Sequence, residues 1–194
     1  MKTGRVKLVL IACAGLTIVA GLVSGALLLP RQSATAGDTT STSNPANDRP
    51  TGPSGLPVPR YVSLKTDRVN VRRGPSTAHR VIWVYAKQGL PVEIIAESEH
   101  WRRVRDSESE EGWVYHSLLS GRRTGLVSPW RKGESIALRS APDPAAKTVA
   151  LIQTGVVGQV VSCTGKWCEF SVGGYSGWLQ QELLWGVYPD EKID

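Results

Sequence analysis

One phrase is written twice in this chain. "VNVRRGP" (Val69 to Pro75) and "IALRSAP" (Ile136 to Pro142) stand 67 residues apart. "QGLPVEIIAESEHWRRV" (88–104) lies on "TGVVGQVVSCTGKWCEF" (154–170) at an offset of 66. "EGWVYHSLLSG" (111–121) lies on "SGWLQQELLWG" (176–186) at an offset of 65. Single-residue gaps suffice, and Trp101/Trp167 falls into register together with the Gly-Trp pairs 112–113 and 177–178. Self-similarity at this length means a duplicated domain, because solenoid units run about 20–50 residues.

Each copy reads as short strands. Val81, Val84, Leu90, Val92, Ile94 and Ile95 are apolar and largely β-branched. Breaks fall at Gly74-Pro75, at Gly89 and at "DSESEEG" (106–112), a wholly polar hairpin tip. In the second copy the tip is "VGGYSG" (172–177), where Gly173-Gly174 suits a tight turn. About sixty residues in five short strands close only as a small, strongly bent barrel. The expected class is all-β, with barrels over 60–123 and 124–194. Units this small bury little surface alone, which favours docking of the two.

The region before residue 60 has a different character. Lys2, Arg5 and Lys7 precede twenty-two uncharged, apolar residues, Leu8 to Leu29, and a small-residue site at Ala34–Ala36 follows. A positive start, an apolar run and a small-residue site make an export signal. The run also matches the roughly 20 residues that span a bilayer. Residues 1–36 are therefore either a cleaved signal peptide or a membrane anchor, and the folded part is periplasmic or otherwise extracytoplasmic. Cys13 resembles a lipidation site, but the apolar run continues past it and it reads as an ordinary small hydrophobe. Residues 37–59, rich in Ser, Thr, Asn, Pro and Gly, read as a disordered linker.

The net charge of +6 is uneven. Residues 60–123 hold twelve Lys/Arg against eight Asp/Glu, while 124–194 hold six against seven. A basic first barrel suits anionic wall polymers, lipid headgroups or acidic proteins. Export excludes nucleic acid as a partner.

The order Asn70-Val71-Arg72-x-Gly74-Pro75-Ser76, a β-branched strand, Lys87-Gln88-Gly89, Trp101-x-x-Val104 and Gly112-Trp113-Val114 resembles a bacterial SH3-like (SH3b) domain. The second copy is similar, with Ala137 for Asn70 and Ala141 for Gly74, and the resemblance runs over about 61–189. It implies two tandem SH3-like barrels in an exported envelope protein. It also implies a peptidoglycan or wall-peptide ligand, or another envelope protein as partner, and no cofactor.

Strand alternation then places the candidate site. Val104 matches Phe170, so that side is core, and Trp101, Arg103 and Arg105 point the other way. The same logic turns Trp113, Trp167 and Trp178 outward. In eukaryotic SH3 domains, which are similar here, aromatics at these places line a peptide groove. The candidate ligand-binding set is therefore Trp101, Trp113, Arg103, Arg105, Trp167 and Trp178. The competing reading has these rings covering barrel ends or the contact between barrels. Leu118 and Leu183 replace a groove aromatic, which favours a glycan or wall peptide over a proline-rich helix.

Arg72 and Arg139 recur beside the same turn and are expected to brace loop carbonyls. Cys163 and Cys168, across a four-residue turn in an exported chain, are expected to form a disulfide. The aligned positions in the first copy, Glu97 and Arg102, predict a cross-strand ion pair worth about 0.2–1 kcal/mol if exposed. No metal site is expected, since His79, His100 and His116 lie in one barrel and the paired cysteines in the other. No nucleophile–base order or phosphate loop occurs. The acids of 106–111 read as solvated on their tip. The reading is a non-catalytic envelope-binding module, with a protein-assembly subunit as the alternative.

Overall fold

The computed structural model describes residues 49–194. The expected signal or anchor helix, and the linker as far as residue 48, lie outside the described residues. Among the described residues, no helix is long and apolar enough to cross a membrane.

Two antiparallel sheets follow one another. The first holds β1 (Arg60–Leu64), β2 (Val69–Arg72), β3 (Val81–Tyr85), β4 (Pro91–Ser98), β5 (Trp101–Arg105), β6 (Glu111–Tyr115) and β7 (Leu119–Ser120), in the order β3-β2-β6-β5-β4-β1-β7. The second begins with β8 (Thr124–Val127), β9 (Ser135–Arg139), β10 (Thr148–Gln153) and β11 (Val157–Thr164). It continues with β12 (Trp167–Val172), β13 (Tyr175–Gln180), β14 (Leu184–Trp185) and β15 (Lys192–Ile193). Its order, β10-β9-β13-β12-β11-β8-β14, repeats the first, and β15 adds to β11. Each barrel has more strands than the expected five. A single 3-10 turn (His116–Leu118, Gln181–Leu183) leads into a two-residue strand that returns to the barrel's first strand.

Alternation builds the cores. Val69 and Val71 are fully buried while Asn70 between them is exposed. With Val62, Leu64, Tyr85, Val92, Ile94, Val104 and Val114 they form the first cluster. Phe170, Leu138, Leu179, Val160 and Ile136 anchor the second. The longest strand of each sheet is bulged at the same place, between Ile94 and Ala96 and between Val160 and Ser162. A bulge bends its strand and sharpens its twist, so one eight-residue strand serves both sides of a small core. The second tip turns as expected: Val172 pairs Tyr175 across Gly173-Gly174, both with positive φ, the geometry of a two-residue hairpin loop.

The linker expectation is corrected over residues 49–59. Thr51 bridges to Pro57, Gly52 N–H donates to Leu56 O (2.8 Å), and Val58 N–H donates to Pro50 O (2.9 Å). Few apolar groups are buried here. The backbone instead closes its own turn, and Ser54 is fastened to a carboxylate of the first barrel, at Glu97.

Candidate functional site

The repeated phrase does structural work. Arg72 donates from Nη1 to the carbonyls of Thr77 (3.0 Å) and His79 (2.7 Å). Arg139 donates to Ala146 O (3.1 Å) and Thr148 Oγ1 (3.1 Å). Both arginines brace the loop of the following hairpin, as their recurrence predicts. The Gly-Trp pairs lie across the sheet from them, with Trp113 opposite Arg72 and Trp178 opposite Arg139.

In the first barrel the expected platform is absent. Trp101 is only 9% exposed yet lies outside the core cluster. Alternation gives its direction, but the outer face is covered at this end. Tyr115, its cross-strand partner, meets the indole edge-on at 5.4 Å. Beyond them His100 and His116 stack at 5.5 Å, and both are exposed. The basic edge is neutralised as well. Arg103 pairs with Glu111 (2.7 Å) and Arg105 with Glu93 (2.6 Å). Trp113 is half-buried. Asp106 is not simply solvated: it accepts from the N–H groups of Glu108 and Glu110 at 3.0 Å and from the Tyr85 hydroxyl at 3.1 Å.

In the second barrel the equivalent indole, Trp167, is less covered than Trp101. Trp167 is half-buried and stands between two cavities that share it and Gln180. The smaller, about 110 Å³, is lined by Ile136, Arg139, Pro144 and Leu183. The larger, about 610 Å³, runs between the Gly165–Lys166 turn and the segment Val187–Asp190. The hairpin carrying Trp167 is stapled beside it, since Cys163 and Cys168 are register partners joined by a disulfide. Trp178 is half-buried and lines neither cavity.

Alternation alone missed the seam between the barrels. Glu93, 4% exposed, takes Arg105 on one oxygen and the Tyr188 hydroxyl (2.9 Å) from the second barrel on the other. Tyr61 meets Trp185 edge-on at 5.3 Å and Tyr188 at 4.7 Å. Thr124 Oγ1 donates to Gly89 O at 2.7 Å. Burial first, and then the Glu93 carboxylate, push the Tyr61 and Tyr188 hydroxyls far above the ordinary tyrosine value. One sequence signal existed: in the otherwise matched segments 111–121 and 176–186, Ser120 is replaced by Trp185.

The predicted Glu97–Arg102 pair is present at 3.0 Å, but it is shielded rather than exposed. Arg60 joins at 2.6 Å, and the Ser54 N–H and hydroxyl each donate at 2.8 Å. Burial raises the Glu97 carboxyl, yet the Arg60 and Ser54 hydrogen bonds outweigh it and hold the group below its ordinary 4.5. A depressed folded value means the clamp is fully stabilising above the ordinary value and is lost as pH falls through the lower one. The Ser54 amide signal should therefore titrate with a midpoint below 4.5; a midpoint at or above it rejects the clamp.

Among the described residues, no three of His, Cys, Asp and Glu converge to hold a metal. Two bent antiparallel barrels with matching braces and matching Gly-Trp pairs place the chain in the bacterial SH3 domain family, to which it belongs. The family profile matches residues 65–121 and again 132–186, more than half the chain. Among solved structures the chain is similar to NlpC2 from Trichomonas vaginalis at 14% identity, over 66% of this chain and 48% of that one, with a TM-score of 0.30. NlpC1 from the same organism gives 15% identity, 65% and 45% coverage, and a TM-score of 0.30. The match spans less than half of either of those chains, and such a score bears on neither fold nor function. Comparison with curated proteins finds no match.

Proposed function

We propose that this chain is a non-catalytic, exported binding module of the cell envelope that takes peptidoglycan or a wall peptide on the Trp167 face. Bacterial SH3 domains are commonly cell-wall binding modules. The observation that carries the reading is Trp167, a half-exposed indole flanked by two cavities on a stapled hairpin. The disulfide suits an oxidising compartment, in keeping with the export signal expected of residues 1–36. The non-catalytic reading draws on commitment: Glu93, Glu97, Asp106, Glu191 and both stapled cysteines are engaged in structural bonds.

Sedimentation with purified peptidoglycan tests this. The wild-type chain should pellet with the polymer, and Trp167→Ala should lower retention about tenfold with the fold intact. Trp101→Ala should instead lower the melting temperature. A wild-type chain left in the supernatant rejects the wall reading. It would favour the alternative, an assembly subunit. That alternative is supported by edge strand β10, which bares Val149 and Leu151, the latter 69% exposed.

A further inference from the structure

Each barrel holds a cavity at the same place, because His116 and Leu119 of the first match Gln181 and Leu184 of the second at an offset of 65. The charges around them differ. Glu182, Asp190 and one cation, Lys166, line the second. The first, about 400 Å³, is lined by Arg60, Arg102 and Arg123, and by no acid among the described residues. Leu56, Tyr61 and Leu119 give it apolar walls.

The three guanidinium groups are not all matched. Arg123 has Glu191, which accepts two hydrogen bonds from it at 2.9 Å. Arg60 and Arg102 share one carboxylate, Glu97, at 2.6 and 3.0 Å. Glu97 is fully buried and also accepts from the Ser54 N–H and hydroxyl, so its oxygens are filled. One positive charge is left over on two side chains only 16% and 11% exposed. Charged groups so far from water are paired in native proteins. Pro57 O accepts from Arg60, and the Glu99 and Trp101 carbonyls accept from Arg102 Nη1. A carbonyl satisfies a hydrogen but cancels no charge. Arg102 Nη2 has no acceptor among the described residues and, unlike Arg123 Nε, is open to solvent.

We propose that this cavity takes an organic carboxylate on a small apolar body. Its single charge equals the surplus, its two oxygens suit the planar donors of a guanidinium, and its apolar part lies on Leu56, Tyr61 and Leu119. A phosphate brings nothing for those walls. The site goes beyond the Trp167 face, which belongs to the other barrel, so either assignment can fail alone.

The test uses the full chain, isotope-labelled, titrated with butyrate, with Nα-acetyl-alanyl-alanine, and with the amide of that dipeptide. Both acids should shift the Arg102 side-chain and Leu119 methyl signals saturably, and the amide should not. Tighter binding of the dipeptide makes a peptide end the source. Equal or tighter binding of butyrate makes it a free small acid. Arg102→Met, with the core methyl signals of Val104 and Val114 in place, should weaken both acids about tenfold, the effect of one charge-assisted hydrogen bond. Arg102→Lys keeps the charge without the fork, should weaken them about threefold, and serves if the first variant unfolds. Equal binding of dipeptide and amide, no saturable shift, inorganic phosphate bound as tightly as either acid, or either folded variant binding like wild type overturns the assignment.

Discussion

Arg105→Met should cost about 3 kcal/mol, the low end for stranding one member of a buried ion pair. Glu93 is 4% exposed, and three hydrogen bonds satisfy it: two from Arg105, at 2.6 and 3.1 Å, and one from Tyr188 at 2.9 Å. Without the guanidinium, a carboxylate at the seam keeps only a neutral hydroxyl. Arg105 itself is 40% exposed and meets water easily once released, so the penalty falls on the acid. Glu93→Gln combined with Arg105→Met removes both charges and should recover most of the loss. Urea unfolding of the single and double variants measures this. A single variant within about 1 kcal/mol of wild type would mean that Glu93 is hydrated in solution and that the seam is looser than drawn.

Gly177→Ala should be comparably severe, about 3 kcal/mol. A Cβ at this position would sit 2.5 Å from the Arg139 carbonyl oxygen and 2.9 Å from Leu138 Cγ. Backbone has to move, and the backbone in question carries the arginine that braces the next loop. Gly112 is equivalent, its Cβ falling on Val71 Cγ1 and close to Arg72 O. The Gly of each Gly-Trp pair is thus the point where one strand passes closest to its neighbour. Gly121→Ala is the control, since nothing lies within 4 Å and it should melt with wild type. A Gly177→Ala melting curve that also overlays wild type would contradict the close approach.

Local chemistry was legible in the residues. Two arginines at matching places, each beside a turn, foretold braces, and the Cys163–Cys168 spacing foretold the staple. The alternation of β2 was readable because only one face of it meets the core. What escaped were the partners across space. Trp101 points outward as alternation requires, but the ring of Tyr115, carried on another strand, covers it. Strand periodicity reports direction and is silent about what lies over the outer face. The same gap hides the path of 49–59, a stretch with little to bury that is nonetheless held, because the repeat marks Glu97 only as a partner for Arg102. The seam left one mark, the change from Ser120 to Trp185, and a single departure from a repeat is easily taken for drift.

That departure bears on how the halves behave apart. Tyr61 meets Trp185 and Tyr188, and Glu93, held by Arg105, meets Tyr188, across a three-residue connection, 121–123. A cut at that connection would open an aromatic wound on one fragment and bare an acid on the other. The ancestral duplication thus no longer yields two portable beads. Each half is expected to be less stable alone than the two are together.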